Sequence, residues 1–252
     1  MKRSLKLAAL LGTLAALAGF WGCQVAGSTG TLRLSIADAA VDDPAIDGVW
    51  ITIGEVQYNL GEDDSGWQGF GDFGGPAQVN LLDYQNGLAY LLGEVELPSG
   101  RHEQIRFLLD IPEEGVKTPP ATPGCWVSFA DGRPDAPLFV PSGLQTGYKA
   151  VGSFQVPVNG VVSITADFDL HKALRLTNKG ERYLLQPTIR LVVDDQAGAI
   201  AGEVLNALPE QQVKVFAYAD GTYLDTEDDL IPPDNLQFSG AIAGAAVDPT
   251  NQ

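Results

Sequence analysis

Short segments in which apolar and polar residues alternate dominate the chain after residue 30. In one of them Ile164, Ala166 and Phe168 take every second position, so a strand here would bury one face and expose the other. The 29 glycines and 16 prolines cluster between such segments, at a spacing of about ten residues that is typical of a sandwich and not of βαβ units. The pattern predicts strands over residues 31–37, 49–60, 78–80, 88–96, 104–111, 125–129, 148–156, 161–170 and 183–193.

The predicted fold class is therefore all-β, an antiparallel β-sandwich over residues 30–193. A domain boundary is expected at residues 194–196, where charged residues follow a hydrophobic strand. The pattern restarts with Gly-Ala-Ile-Ala-Gly at 198–202 and a further apolar segment at 212–219. This restart resembles the opening strands of transthyretin-like or carboxypeptidase-regulatory-like sandwiches. Such modules take about 80 residues, so residues 196–252 are expected to form a short or incomplete second β module.

The N-terminus has the pattern of an export signal. Three cations, Lys2, Arg3 and Lys6, precede an apolar run over residues 7–21 that stops at Gly22 and Cys23. The cations stay on the cytoplasmic side, and the run is shorter than the ~20 apolar residues that a spanning helix needs. The pattern predicts a lipoprotein signal peptide over the first 22 residues and an acyl anchor on Cys23.

Ordinary secretion is the alternative, because Ala-Leu-Ala at residues 16–18 also fits a general signal peptidase. Cys23 would then keep its thiol, and it could oxidise with Cys125 in an oxidising compartment. With the lipid in place, Gln24 after the cysteine resembles lipoproteins that are passed on to the outer membrane. The expected location is the bacterial cell envelope, on the outer membrane, facing the periplasm or the exterior.

The net charge of −17 limits the classes of partner. A strongly acidic surface argues against binding to nucleic acid or to anionic lipid headgroups. The expected partners are the bilayer, through the acyl anchor, and an envelope protein or a polysaccharide.

An ordered series of short motifs resembles a bacterial envelope family known as domain of unknown function 4382. The motifs run from residue 30 to about residue 193 and include Gly30-Thr31-Leu32, Leu81-Leu82-Asp83, Leu97-Pro98-Ser99-Gly100, Val140-Pro141-Ser142-Gly143, Asp167-Phe168-Asp169-Leu170 and Leu185-Gln186-Pro187-Thr188. One departure is Ala40, where the family tends to have proline. The resemblance implies lipid anchoring and a β-rich fold, and it brings no established activity.

Two carboxylates, Asp167 and Asp169, stand two residues apart on a predicted strand, roughly 7 Å apart on the same face. The spacing suits a cation, and it also suits the paired carboxylates of glycoside hydrolysis, which lie ~5 to 9.5 Å apart. Acid and base roles require different environments, however, and two aspartates on one exposed strand share the same solvent. We therefore favour a solvated face, or a cation or hydrogen-bond site together with Asp38 and Asp42, over catalysis.

The acidic stretches over residues 38–47 and 225–234 are candidate calcium loops. Neither has the alternating ligand spacing and central glycine of a helix-loop-helix calcium site. Hydrated turns are the favoured interpretation, so no cofactor is expected and calcium is kept as the alternative.

The loop over residues 62–76 interleaves Trp67, Phe70 and Phe73 with glycine and aspartate. Its rings either fold back over the end of a sheet or form a ligand-contacting loop. Whether Lys149 pairs with Asp167 and Asp169 is also left open, because this depends on the register of a predicted hairpin.

The other reactive residue types are few. His102 and His171 are the only histidines, and Cys125 is the only cysteine besides Cys23, so a metal cluster of nitrogen and sulfur ligands is not expected. Cys125 is predicted to fill core space as a small hydrophobic residue. No nucleophile elbow and no phosphate-binding glycine loop occurs, and the protein is not expected to be an enzyme.

The sequence thus predicts a lipid-anchored, non-catalytic binding, structural or adhesion module of unknown ligand. One alternative is a carbohydrate-active hydrolase that uses Asp167 and Asp169 beside the aromatic loop. The other is an adhesion module that is stabilised by calcium.

Overall fold

The structure is a computed structural model that describes residues 27–38, 41, 43–61, 65–71, 76–110, 124–140, 147–177, 182–186, 188–206, 213–228 and 237–247. The described part is nearly all β, which confirms the predicted class. Its strands are β1 (Thr29–Ala37), β2 (Ile46–Asn59), β3 (Gln68–Gly69), β4 (Ala77–Asn80), β5 (Tyr90–Pro98), β6 (Gly100–Leu109), β7 (Trp126–Phe129), β8 (Ala136–Phe139), β9 (Tyr148–Val156), β10 (Val161–Asp167), β11 (Leu174–Thr177), β12 (Arg182–Leu185), β13 (Ile189–Val193), β14 (Lys214–Ala217) and β15 (Ala243–Ala246). One helical turn, α1 (Leu170–Ala173), and two 3₁₀ helices, Leu81–Tyr84 and Asp194–Gln196, complete the described elements.

Thirteen of these strands form one large sheet in the order β11-β12-β8-β7-β2-β6-β9-β13-β10-β1-β5, with β3 and β4 also pairing with β2. The sheet is mixed, whereas the sequence predicted a purely antiparallel one. The pairs β1–β10, β8–β12 and β9–β13 are parallel. Each parallel pair joins strands that are distant in the chain, which an alternation pattern does not reveal.

The long strand β2 is irregular at two places. Its first half pairs with β7 and its second half with β6, and the register shifts between Ile46 and Gly48 and again between Ile53 and Glu55. Such bulges bend and twist a strand. On the core side of the sheet Phe107 of β6 contacts Phe168, beyond the end of β10, at 5.6 Å between ring centroids, although two strands separate β6 from β10 in the sheet.

The predicted alternation holds inside this core. Ile164, Ala166 and Phe168 are fully buried, and so are Leu32 and Ile36 of the neighbouring β1. Burial of one of the larger side chains, Leu, Ile or Phe, contributes about 1.5–3 kcal/mol relative to leaving it exposed. The alternation in the sequence thus predicts which side chains of these strands face the core.

The predicted hairpin between β9 and β10 does not form. Strand β13 lies between them, parallel to β9 and antiparallel to β10, so that Asp167 faces Arg190. Lys149 faces Arg106 of β6. The predicted strand over 161–170 ends at Asp167, because the chain turns into α1.

The C-terminal part contributes a separate two-stranded sheet of β14 and β15. Residues 198–202, where the β pattern is predicted to restart, form no strand. Strand β14 is shorter than the segment predicted at 212–219. Within the described residues no helix has the length and apolar character needed to cross a membrane. The predicted signal peptide and Cys23 lie outside the described residues.

Candidate functional site

Asp167 is held in an ion pair across the sheet. It is the last residue of β10, and its Oδ2 lies 2.6 Å from Nη2 of Arg190 on β13. The other terminal amino group of Arg190, Nη1, donates to the main-chain oxygen of Ile242 at 3.0 Å. The guanidinium therefore joins the candidate carboxylate to the C-terminal segment.

Asp169 makes the second connection of this kind. It lies beyond β10 in the left-handed conformation, with φ 38° and ψ 62°, so the predicted placement of both carboxylates on one strand is wrong. Its Oδ2 is 3.5 Å from Nζ of Lys172, and Lys172 donates to the main-chain oxygen of Ala241. Both aspartates thus neutralise cations that hold the segment around residues 241–242.

Asp38 accepts a hydrogen bond in the interior of the protein. Its side chain is buried, and its Oδ1 accepts a hydrogen bond from the main-chain N–H of Leu170 at 3.0 Å. Because the Asp169 side chain does not cap α1, Asp38 satisfies the first N–H of this helix from its position just after β1. Asp42, grouped with it in the sequence analysis, lies outside the described residues.

The two acidic stretches show turn and packing contacts where they are described. Asp43 accepts from the N–H of Ala45, which is the hydrogen bond of a local turn. Glu227 is buried and accepts from Tyr218 Oη at 3.0 Å and from the N–H of Gly240 at 2.9 Å. Burial, together with this carboxylate, raises the pKa of Tyr218 to about 12.

No group of three or more His, Cys, Asp or Glu side chains comes together as metal ligands in the part of the chain that is described. Asp229 and Asp234 lie outside that part. Calcium binding by either stretch stays a prediction.

The aromatic loop folds back over the sheet where it is described. Phe70 is 5% exposed and packs on Tyr58 of β2 at 5.6 Å between ring centroids. The ring of Trp67 lies 4.2 Å from the guanidinium carbon of Arg106 and 5.9 Å from Nζ of Lys149. These are cation–π distances, so Lys149 is associated with this loop and not with the aspartates. Phe73 lies outside the described residues.

His102 is fully buried between rings. It stacks on Phe154 at 5.1 Å, and its Nε2 lies 2.9 Å from the main-chain oxygen of Pro98, so Nε2 carries the proton. Its buried Nδ1 has no hydrogen-bond partner among the described residues. Burial is the main cause that lowers the pKa of His102, which is therefore neutral at pH 7.

The other two reactive side chains also lie in the interior. His171 is 5% exposed, and its Nε2 donates to the main-chain oxygen of Gln237 at 2.9 Å. Cys125 is fully buried and free, and burial raises the pKa of its thiol to about 12. A thiol in that state is neither a nucleophile nor a metal ligand at neutral pH.

Sequence reasoning missed a groove between β9 and β10. Strand β13 pairs with β9 only through Ile189 and Arg190 and ends opposite Ile164 of β10. Beyond that end the two strands flank a groove of about 370 Å³. Its lining combines apolar and polar groups, namely Val161, Val193, Arg101, Gln155, Asp195 and Gln196. No motif signals it, because it depends on where β13 stops.

A stacked tryptophan pair on β2 and β7 was also missed. Trp50 and Trp126 face each other in the register, with ring centroids 5.3 Å apart and planes within 6°. Trp50 Nε1 donates to Ser128 Oγ at 3.3 Å, and Ser128 Oγ donates to Asp47 at 2.5 Å. Both indoles are only partly buried. The pair therefore presents an aromatic surface, which is the feature that the sequence suggests for the 62–76 loop.

A protein-family profile matches the chain. The profile described as Domain of unknown function (DUF4382) matches residues 29–187, which is more than half of the chain. The chain belongs to the DUF4382 family. No curated protein and no solved structure matches it.

The matched range and the large sheet of this DUF4382 domain do not end together. The match stops after β12, whereas β13 lies inside the sheet, between β9 and β10, and supplies Arg190. The residues that build the groove and that hold the C-terminal segment therefore come from both sides of the matched boundary.

Proposed function

We propose that this DUF4382 protein is a lipid-anchored cell-envelope protein, attached to the outer membrane through Cys23, whose β body is a non-catalytic binding or structural module. The anchor is supported by the sequence of residues 1–24, where cations, a short apolar run and a small residue precede the cysteine. The β body is the part that would meet a partner from the envelope.

The observation that carries the non-catalytic proposal is that both candidate carboxylates are held in ion pairs. Asp167 and Asp169 are paired with Arg190 and Lys172, whose remaining donors bind main-chain oxygens of the C-terminal segment. An acid–base pair needs one carboxyl that is kept protonated by its surroundings. Both carboxylates instead lie beside a cation, so their surroundings do not differ in the way that acid and base roles require.

The groove between β9 and β10 is the favoured place for a ligand. Its volume of about 370 Å³ lies within the usual range of ligand sites. Arg101, Gln155 and Asp195 supply donors and acceptors beside apolar walls, which suits a ligand with both hydroxyl or amide groups and apolar faces, such as a polysaccharide or a segment of an envelope protein.

The anchor is tested by labelling cells with a fatty-acid analogue and fractionating the envelope. The native chain is expected to be labelled and to sediment with the outer membrane, and Cys23→Ser to lose both properties. Cys125→Ser is the matched control, because it removes the other thiol and should keep both. A labelled Cys23→Ser chain would contradict the anchor.

Binding is tested by cosedimentation of the protein with peptidoglycan, chitin and cellulose, and by capture from envelope extracts. Gln155→Trp, which fills the groove, is expected to reduce retention at least fivefold. Leu91→Trp on the exposed face of β5 is the control and should bind as the native chain does. Release of reducing sugar by the native chain, abolished by Asp167→Asn, would contradict the non-catalytic proposal.

A further inference from the structure

Strand β1 begins a short distance along the chain from the proposed lipid anchor. Three residues separate Cys23 from Gly27, the first residue that the structure describes. An extended chain spans at most ~3.6 Å per residue, so Gly27 lies within about 14 Å of the acylated cysteine. In the anchored protein, the end of the sheet where β1 starts is therefore held beside the bilayer.

Two connections between strands lie at this same end. In the connection from β9 to β10, the N–H of Asn159 donates to the main-chain oxygen of Thr29 at 2.8 Å. In the connection from β5 to β6, the N–H of Ser99 donates to the main-chain oxygen of Ser28 at 2.7 Å. Main-chain hydrogen bonds thus fix both connections next to the residues that follow the anchor.

The surface formed here carries no charge. Residues 27–31, 97–100 and 156–162, together called the uncharged end, contain no lysine, arginine, histidine, aspartate or glutamate, and neither do residues 24–26. The whole chain has a formal charge of −17, which opposes its approach to a membrane that contains anionic lipids. This repulsion is weakest where no carboxylate is exposed, so the uncharged end is suited to lie against lipid.

Two apolar side chains project from the uncharged end. Val158 is 60% exposed and Val161 is 53% exposed. The N–H of Gly160 donates to the main-chain oxygen of Pro157 at 3.3 Å, so Val158 stands at the tip of a closed turn. Apolar side chains in such a position gain free energy when they enter the boundary between lipid headgroups and acyl chains.

The opposite end of β1 differs in charge and provides an internal comparison. Asp38 and Asp167 lie there, and the N–H of Asp38 donates to the main-chain oxygen of Tyr84 at 3.0 Å. The next turn is closed by the N–H of Leu88, which donates to the oxygen of Gln85 at 3.1 Å, and Leu88 is 63% exposed. Strand β1 has nine residues, so the two ends are roughly 26 Å apart.

We propose that the uncharged end rests on the membrane surface, with Val158 and Val161 inserted at the boundary between headgroups and acyl chains. The proposal depends on the acyl anchor at Cys23, because two valines bury too little apolar area to hold the protein on a bilayer by themselves. The groove between β9 and β10 shares Pro157 and Val161 with the uncharged end. This orientation therefore places the groove beside the bilayer.

Fluorescence quenching by labelled lipids tests the orientation. Val158→Cys and Leu88→Cys, each combined with Cys125→Ser, give one site for an environment-sensitive fluorophore, since the sulfur of an acylated Cys23 is blocked. The full acylated chains are inserted into vesicles of phosphatidylethanolamine and phosphatidylglycerol that carry nitroxide-labelled acyl chains. The fluorophore at position 158 is expected to be quenched at least threefold more strongly than the one at position 88.

A substitution at the neighbouring valine tests the contact itself. Val161→Asp places a carboxylate at the membrane boundary and is expected to reduce quenching at position 158 at least twofold. Val161→Thr is the matched control, because it has the same shape without a charge and should keep the quenching. Both changes are at an exposed position, and circular dichroism shows whether each chain is folded.

The outcomes separate this proposal from the anchor on which it rests. Mass spectrometry that finds no acyl group on the full chain would overturn both. An acylated, vesicle-bound chain with equal quenching at positions 158 and 88, or with quenching that Val161→Asp leaves unchanged, would overturn the orientation alone. If the fluorophore at position 158 becomes shielded without vesicles as the concentration of a Cys23→Ser chain rises, the surface binds a second copy, and the proposal is also overturned.

Discussion

The carboxylate of Asp38 accepts a hydrogen bond at 3.0 Å from the main-chain N–H of Leu170, which lies 132 residues further along the chain. It thereby connects the end of β1 to the first turn of α1. The helix in turn carries Lys172 and His171, which bind main-chain oxygens of the C-terminal segment. One buried aspartate thus supports the place where the C-terminal segment meets the large sheet.

Replacement of this aspartate is expected to destabilise the fold. Asp38→Ala removes the acceptor and leaves the N–H of Leu170 buried, at a cost of about 1–3 kcal/mol. Asp38→Asn keeps an acceptor oxygen and should recover at least half of the loss. Urea unfolding measures both free energies. Equal stability of Asp38→Ala and the native chain would refute the capping role.

The Arg190 connection between Asp167 and Ile242 is expected to control local opening of the C-terminal segment. Arg190→Ala removes the donor to Ile242 and the partner of Asp167, so main-chain amides of β15 should exchange with solvent at least tenfold faster. Exchange in β1 should not change, because the Arg190 side chain is half exposed and an ion pair of this kind contributes little to global stability. Arg190→Lys is the control, since it keeps the charge and one donor. Uniform acceleration of exchange across the sheet would contradict a local role.

His102 makes stability depend on pH. Burial lowers its pKa in the folded protein below the ordinary value of 6.5, so the unfolded chain binds more protons as the pH falls below 6.5. The contribution of the neutral ring is complete above that pH and is lost as the pH falls toward the lowered pKa, at about 1.4 kcal/mol for each pH unit. In His102→Phe this part of the pH dependence, which begins as the pH falls below about 6.5, should disappear. The free energy of unfolding, measured against pH for both chains, tests this, and two parallel profiles would refute it.

Cys125 provides a probe of global unfolding. Because it is fully buried and its pKa is raised to about 12, a thiol reagent at pH 8 should modify it only when the core opens. The rate of modification should follow the unfolding equilibrium through a urea titration. Rapid modification of Cys125 in the native protein would show that the core around β7 is open to solvent.

The strands of this protein could be predicted because their alternation is local. Ile164, Ala166 and Phe168 take every second position and are all buried, as the pattern requires. The neighbours of each strand could not be predicted in this way. Nothing in the sequence of β13 indicates that it lies between β9 and β10, and this placement gives Asp167 its partner Arg190.

The surroundings of the candidate site residues could not be predicted for a related reason. The alternation continues through Asp169 and predicts it on a strand, but its backbone is left-handed and it directly precedes α1. The partners of the aspartates, Arg190 and Lys172, have no motif in common with them. The aromatic loop was recognised as having two alternatives, and the burial of Phe70 favours the packed one.

The central claim is that Cys23 attaches an inert β body to a membrane, and mass spectrometry of the mature N-terminus tests it most directly. We predict a chain that begins at residue 23 and carries a diacylglyceryl thioether on that cysteine. A chain that begins at residue 19, with an unmodified thiol or a Cys23–Cys125 disulfide, would contradict the claim.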